Sequence, residues 1–404
     1  MAKDDRRGRH PSRLTMRPAS QSFLGYLRPD GSVGTRNYLL VLSVGHLTGP
    51  TARRVARALP GSRLVLMPYG GGIIGKDRVV QMRSIAGFGR NPNVGAVLLI
   101  GTDGPKLAEL ADEIRSSRKL VRTLCLDDVS HDALSLSDKA LREGAQLHRE
   151  ISRERRVCAP LSALCVGVEC GRSDPSSGIV ANPLIGAIVD RLIDAGGRVI
   201  FGETLEWLGA EHLLATRAAS PIVREALVAA VLRREQLAVS SGINLVGNNP
   251  NPTNVVAGLS TIEEKSLGSI AKSGSRPIDG VVGIGEPVDV PGLYAMDAPA
   301  FTPESLSGFV ASGAQLLLFS TGVGNSYVSA LAPTVKLSAN PVAARTLAQQ
   351  LDFEASGVFA GTQSMNEAAN ALMDVILDIA SGTLTWGEVL DEGDEVVSRV
   401  GEAL

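Results

Sequence analysis

No stretch of this sequence stays apolar for the roughly 20 residues needed to cross a bilayer, so a membrane-spanning chain is not expected. An excess of basic charge is missing too. The formal net charge is −2 over 404 residues, whereas a general nucleic-acid binder needs a basic surface. Cysteines are few (Cys125, Cys158, Cys165 and Cys170), and their spacing carries no disulfide framework, which points to a reducing compartment. The N-terminal arginines have no apolar core behind them, so no secretory signal is read there and the cytoplasm is the expected location. Aromatic residues make up only 4%. Aliphatic residues and 44 glycines take their place, the composition of an ordinary α/β protein.

The length exceeds one typical core, so two domains are expected. Residues 1–22, charged and without periodicity, read as a disordered tail. Residues 23–155 and 156–404 each alternate buried-strand runs with helical stretches. Examples are Tyr38–Leu42, Val94–Ile100, Ala163–Val168 and Gln315–Phe319. This predicts an α/β fold of two consecutive Rossmann- or flavodoxin-like parallel-sheet domains with helices on both faces. A charged helix over about 132–155 is expected to connect them. Ligands of open α/β sheets gather at the carboxyl ends of strands, where Gly45-His46, Pro68-Tyr69-Gly70, Thr102-Asp103, Glu169-Cys170-Gly171, Gly202-Glu203-Thr204 and Ser320-Thr321-Gly322 fall.

Several local patterns carry chemistry. Asn249-Pro250-Asn251-Pro252-Thr253-Asn254 is a proline-stiffened polar loop. It leads to a helix that Ser260 and Glu263 would open with a capping box. On that helix Ile262, Leu267, Ile270 and Ala271 share one side with Glu263 among them, and Lys265, Ser269 and Lys272 share another. Glu263 either closes the cap or faces a ligand. Cys170 near Asp174 could ligate a metal, act as a thiolate, or fill a tight turn. Glu203, Glu206, Glu211 and His212 form an acid-rich group suited to a divalent cation or to general acid–base work, although Glu206 reads as an ordinary helix-start residue. Arg36-Asn37 and Lys336 could grip a carboxylate or form structural pairs. Gly70-Gly71-Gly72-Ile73-Ile74-Gly75-Lys76-Asp77 approaches a phosphate loop, but Asp77 stands where a magnesium-binding hydroxyl is required, so a tight turn is the simpler account.

The run from Asn249 to Gly274, with Cys170-Gly171-Arg172-Ser173-Asp174, Gly202-Glu203-Thr204, Thr321-Gly322-Val323-Gly324-Asn325 and Lys336-Leu337-Ser338-Ala339-Asn340, resembles the altronate/galactarate dehydratase family. The resemblance extends from about Phe23 to the C-terminus. It implies a hydro-lyase that removes water from a sugar acid to give a 2-keto-3-deoxy acid. It also implies a divalent metal (Fe2+ or Mn2+), a homo-oligomer and no nucleic-acid or membrane partner. Under it Glu263, His212, Lys265 and Glu203 are the expected catalytic residues, with Glu263 or His212 as base and Lys265 or Lys336 supplying positive charge. Arg36, Asn37, Asn249, Asn254, Asn325 and Lys336 are expected to bind substrate, and Cys170, Asp174 and Glu211 to hold the metal. Cysteines usual in altronate dehydratases at the early strand ends are replaced here by Gly45-His46, Gly71-Gly72 and Thr102-Asp103, which puts any site built on them in doubt. Pro68-Tyr69-Gly70 looks more like the large subunit of sulfolactate sulfo-lyase, which expels sulfite rather than water. About 22 residues cannot hold the small N-terminal domain of related dehydratases, so that domain is expected on a separate chain.

Overall fold

The computed structural model describes residues 21–245, 247, 249–397 and 401. The expected tail lies outside them up to residue 20, and the first strand, Ser22–Leu27, starts at the tail's last position.

Two parallel sheets dominate. The first has four strands in the spatial order Ser62–Met67, Tyr38–Val44, Val94–Gly101, Leu120–Cys125. Its period-two pattern sorts the core. Leu39 and Val41 pack with Val55, Leu136, Ala140 and Leu147 of the helices Gly49–Ala58 and Ala133–Ile151. Leu40 and Leu42 face the other way, toward Ile85, Phe88, Leu110 and Ile114. The helix expected as a connector is therefore part of the first layer.

The second sheet has seven parallel strands, in the order Ile278–Gly283, Gly292–Asp297, Arg198–Phe201, Cys165–Cys170, Leu316–Ser320, Thr334–Ser338, Phe353–Glu354. The chain starts on Cys165–Cys170, builds outward on one side, then returns to build on the other. The order thus reverses between Cys165–Cys170 and Leu316–Ser320, which makes that crevice the topological switch point. The strand Gly292–Asp297 is not among the buried-strand runs read from the sequence.

The helices Gly75–Arg90 and Thr302–Ala311 lie between the two sheets and share one apolar core with both, through Ile85, Phe88, Phe309, Val310, Leu317 and Phe319. They approach closely at Gly87, where a Cβ would sit 2.1 Å from the Ala311 carbonyl oxygen. A seam of buried amides runs beside them. Asn93 Nδ2 donates to the carbonyls of Gln315 and Leu331, each at 2.8 Å, and its Oδ1 accepts from Thr35 N at 2.8 Å. Asn91 Nδ2 donates to Val310 and Ala314. Gln315 Oε1 accepts from Cys165 N, and its Nε2 donates to Val33 and Ala163. Each buried amide is satisfied, as burial requires. Among the described residues no helix is long and apolar enough to cross a membrane.

Candidate active site

Two strand-end turns and one helix build a buried charged cluster at the carboxyl ends of the neighbouring strands Cys165–Cys170 and Arg198–Phe201. The strand Cys165–Cys170 ends with Glu169 and Cys170, both fully buried. Next to it, Arg198–Phe201 runs into Glu203, whose backbone is left-handed (φ 62°), as is that of Arg172 (φ 52°) after Cys170. Non-glycine residues at such angles carry strain that concentrates at functional turns. The short helix Thr204–Trp207 then presents Glu206. Facing these, the helix Ile262–Ile270 and the turn Ala271–Ser273 deliver Lys265, Ser269 and Lys272.

The helix is partly inverted relative to the reading from its apolar residues. Ile270 stays buried, but Lys265, Ser269 and Lys272 are buried as well, whereas Leu267 is 51% exposed and Glu263 is exposed. Its N-cap is Thr261 rather than Ser260, and Glu264, not Glu263, receives the Ser260 N–H and hydroxyl. Charge compensation explains the inversion, because each ammonium meets a carboxylate. Lys265 Nζ contacts Glu206 Oε1 directly and donates to Asn249 Oδ1 at 2.5 Å. Lys272 Nζ contacts Glu169 Oε1, donates to Ser269 Oγ at 2.9 Å, and lies 3.5 Å from Cys170 Sγ and 3.7 Å from Glu206 Oε2. Ser269 Oγ donates to Glu206 Oε2 at 2.8 Å, and Ser305 Oγ to Glu169 Oε2 at 2.9 Å.

The electrostatics follow from burial and pairing. Burial would raise the Glu206 carboxyl, but Lys265 and Lys272 overcome it and hold the group down at about 2. Burial raises Glu169, and contact with Lys272 limits the rise. Glu203 is pushed well above its ordinary carboxylate value by burial and by the nearby Glu206 and Glu169, which favours its protonated form. Thr302 Oγ1 donates to its Oε1 at 2.7 Å. Burial pushes the Cys170 thiol up to about 12, so it is neither a thiolate nor a nucleophile. Two ammonium groups and two carboxylates therefore balance around a neutral acid and a neutral thiol.

Several sequence-predicted residues meet here. Asn249, which precedes a cis proline, is buried and donates from Nδ2 to Leu205 O. Asn254 closes a capping box with Asn251 and donates to Ser173 O at 2.9 Å. Asp174 receives the Ser176 and Ser177 hydroxyls and Asn340 Nδ2, and Gly322 lies so close that a Cβ would stand 2.5 Å from it. Asn325 borders Gly171 and accepts from Tyr327 N. The Pro-Asn loop, the Cys170 turn and the Glu203 turn thus share one site. A narrow crevice with room of about 20 Å³, one water's worth, reaches Cys170, Asp174, Glu206, Lys265 and Ser269.

Other predicted residues are placed elsewhere. Arg36 makes a two-bond pair with Glu388 (2.6 and 2.8 Å) and caps the carbonyls of Ile379 and Thr383. Asn37 bridges Arg28 and the Ile151 carbonyl. Lys336 Nζ donates to Ser326 O at 2.9 Å. His212 is exposed, and Glu211 is half-buried with Oε2 unpartnered among the described residues. The early strand ends line a different cleft of about 400 Å³, with Gly70, Gly71, Gly72, Asp103 and Lys106. Another cleft of about 570 Å³ includes Lys76, Arg83, Arg233, Arg234 and Asp297. Asp297 takes hydrogen bonds from Thr204 and from both arginines. Three residues central to the cluster were missed or discounted: Glu169, Glu206 and Lys272.

Glu169, Cys170 and Glu206 offer ligand atoms all within 4.8 Å of one another, a group that could hold a metal ion. Of the metal set expected from sequence, only Cys170 belongs to it. Lys272 Nζ stands against all three atoms, so a further cation among them would face an ammonium group at close range, and the arrangement as it stands does not fit one.

Residues 161–403 match the family D-galactarate/Altronate dehydratase, C-terminal, and residues 25–152 match D-galactarate dehydratase/Altronate hydrolase, second domain. The chain is 35% identical to the (2R)-sulfolactate sulfo-lyase subunit beta of Chromohalobacter salexigens, over 95% of this chain and 98% of that one. It is 31% identical to altronate dehydratase of Escherichia coli, over 97% and 80%. It is 30% identical to galactarate dehydratase (L-threo-forming) of the same organism, over 89% and 73%.

Proposed function

We propose, for a chain that belongs to the D-galactarate/altronate dehydratase family, that it is a carbon–oxygen lyase removing water from a sugar acid to leave a 2-keto-3-deoxy acid. The supporting observation is the balanced cluster of Lys265, Lys272, Glu206 and Glu169 beside a protonated Glu203. The reaction must take a weakly acidic proton from the carbon next to a carboxylate, so negative charge grows on that carboxylate. Fixed ammonium groups in a water-poor crevice stabilise such charge. Lys265 faces the crevice, and a substrate carboxylate arriving there competes with Glu206 for its ammonium. Losing that partner raises the proton affinity of Glu206 and makes it a base. The C–H electron pair then forms the carbon–carbon double bond as the neighbouring C–O bond breaks; the departing hydroxyl takes the Glu203 proton and leaves as water, and the proton taken by Glu206 passes back to Glu203. The enol product tautomerises to the keto acid. Glu203 is the proton store that rebalances the cluster. Glu263 and His212, the bases named from sequence, give way to Glu206 in this reading because both are exposed.

A six-carbon acid exceeds the room in the crevice, so binding entails outward movement of the wall formed by Leu259, Glu264, Lys265 and Ser269. Fe2+ or Mn2+ carries no step here, since Lys272 stands against all three ligand atoms. A separate small-domain chain belongs to the proposal as a partner. A second reading, elimination of sulfite from a sulfo-acid, is favoured by the 35% identity to a sulfo-lyase subunit. The test is a panel of aldonates, aldarates and sulfolactate, with and without Fe2+ or Mn2+ and with the partner chain present, scored for 2-keto acid and for sulfite. Keto acid from a sugar acid upholds the first reading, and sulfite from sulfolactate selects the second. No product from any substrate removes both.

A further inference from the structure

Glu169, Cys170 and Glu206 form a donor set of two carboxylates and one sulfur that would suit a borderline divalent ion. A metal needs short bonds, about 2.0–2.2 Å to oxygen and about 2.3 Å to sulfur. Lys272 Nζ stands against all three, 3.5 Å from Cys170 Sγ and 3.7 Å from Glu206 Oε2. Those separations suit an ammonium group and are too long for coordination. Ser269 Oγ at 2.9 Å and the contact with Glu169 complete an ammonium's surroundings. Lys272 is fully buried and cannot swing to solvent without leaving two carboxylates short of positive charge.

We propose that Lys272 is the resident cation of this centre and that its ammonium and a divalent ion are mutually exclusive there: the wild-type chain keeps metal out, and removing Lys272 turns the three side chains into a metal site. The inference does not depend on which acid the protein acts upon.

The test uses the full chain with Cys158, an exposed thiol, replaced by Ser to silence surface binding. Co2+ is the probe, because a bound thiolate gives a cobalt charge-transfer absorption. The C158S protein is expected to show no such absorption and to retain no cobalt after desalting. C158S/K272M is expected to take up one equivalent, show the absorption, and bind roughly a million-fold more tightly, the factor corresponding to removal of a unit charge about 4 Å from a divalent ion at an effective dielectric near 20. Adding C170S abolishes the band. If the K272M protein folds only when Zn2+ is supplied, as followed by circular dichroism, that also supports the proposal. A charge-transfer band in C158S alone that C170S removes would overturn it. So would a K272M protein that binds no metal when folded, or one that fails to fold with or without Zn2+.

Discussion

Replacing Glu206 by Gln removes one charge from the centre and almost nothing of its shape. In the native protein Lys265 Nζ is buried and has two partners, Glu206 Oε1 and Asn249 Oδ1. After the change it keeps two acceptors but loses its counter-charge, and breaking a buried pair from one side costs about 3–5 kcal/mol. A second route gives a similar figure. Glu206 falls from 4.5 to about 2 on folding, and at about 1.4 kcal/mol per unit that is roughly 3 kcal/mol. The sign is that of a lowered carboxyl: the contribution is present above pH 4.5 and is lost as the pH falls toward 2. Urea denaturation at pH 7 is therefore expected to show Glu206→Gln less stable by ~3–5 kcal/mol, with the gap closing in acid. Pairing Glu206→Leu with Lys265→Met should recover most of the loss, because an apolar pair of similar volume needs no compensation. A Glu206→Gln protein within about 1 kcal/mol of wild type at pH 7 would refute the account of Lys265 as a buried, charge-compensated ammonium.

Arg36→Ala is expected to cost a comparable ~3–5 kcal/mol by orphaning the buried Glu388, while kcat and KM of the folded fraction stay unchanged. A selective rise in KM would restore Arg36 to the substrate. Glu203 has a raised folded value, so the native state keeps a proton that the unfolded chain releases. Stability therefore falls as pH climbs above 4.5. Glu203→Gln should remove that fall, leave pH 4 stability near wild type, and abolish turnover; urea curves across pH 4–8 and the activity assay check both. Iodoacetamide on the native protein at pH 8 should label exposed Cys158 and spare Cys170, whose thiol is buried and pushed up to about 12. Peptide mass spectrometry reads the outcome, and rapid labelling of Cys170 would contradict its closed surroundings.

The sheets were legible because their strands are continuous aliphatic runs bounded by glycine and proline, and most strand ends shifted by only a residue or two. Strand order was not legible, since it depends on which runs pair across more than a hundred residues. Cys170, Glu203, Asn249, Asn254 and Lys265 could be found because strand-end turns and a stiffened polar loop signal themselves locally. Glu169 was placed with Cys170 at a strand end where ligands gather but given no role, because in Val166-Gly167-Val168-Glu169-Cys170 it also reads as the trailing edge of a buried strand. Lys265, Ser269 and Lys272 were seen to share a helix side, but apolar periodicity assigned burial to the opposite side. That rule fails where charges compensate in three dimensions, because the partners come from turns some 60 to 100 residues away. The one available clue was two lysines seven residues apart, two helical turns on one line, against a chain with glutamates at two adjacent strand ends. Arg36 looked like a substrate grip because a bidentate pair with Glu388 cannot be read across 352 positions.

The amide seam between the sheets has a mechanical consequence. Asn91, Asn93 and Gln315 are tied on both sides by hydrogen bonds that water cannot replace without flooding an apolar interior, and Gly87 leaves no slack against Ala311. Opening the two layers against each other would therefore have to break those bonds together. The crevice's own rim, Leu259 to Ser269, crosses no such seam and is the cheaper place to yield to a guest.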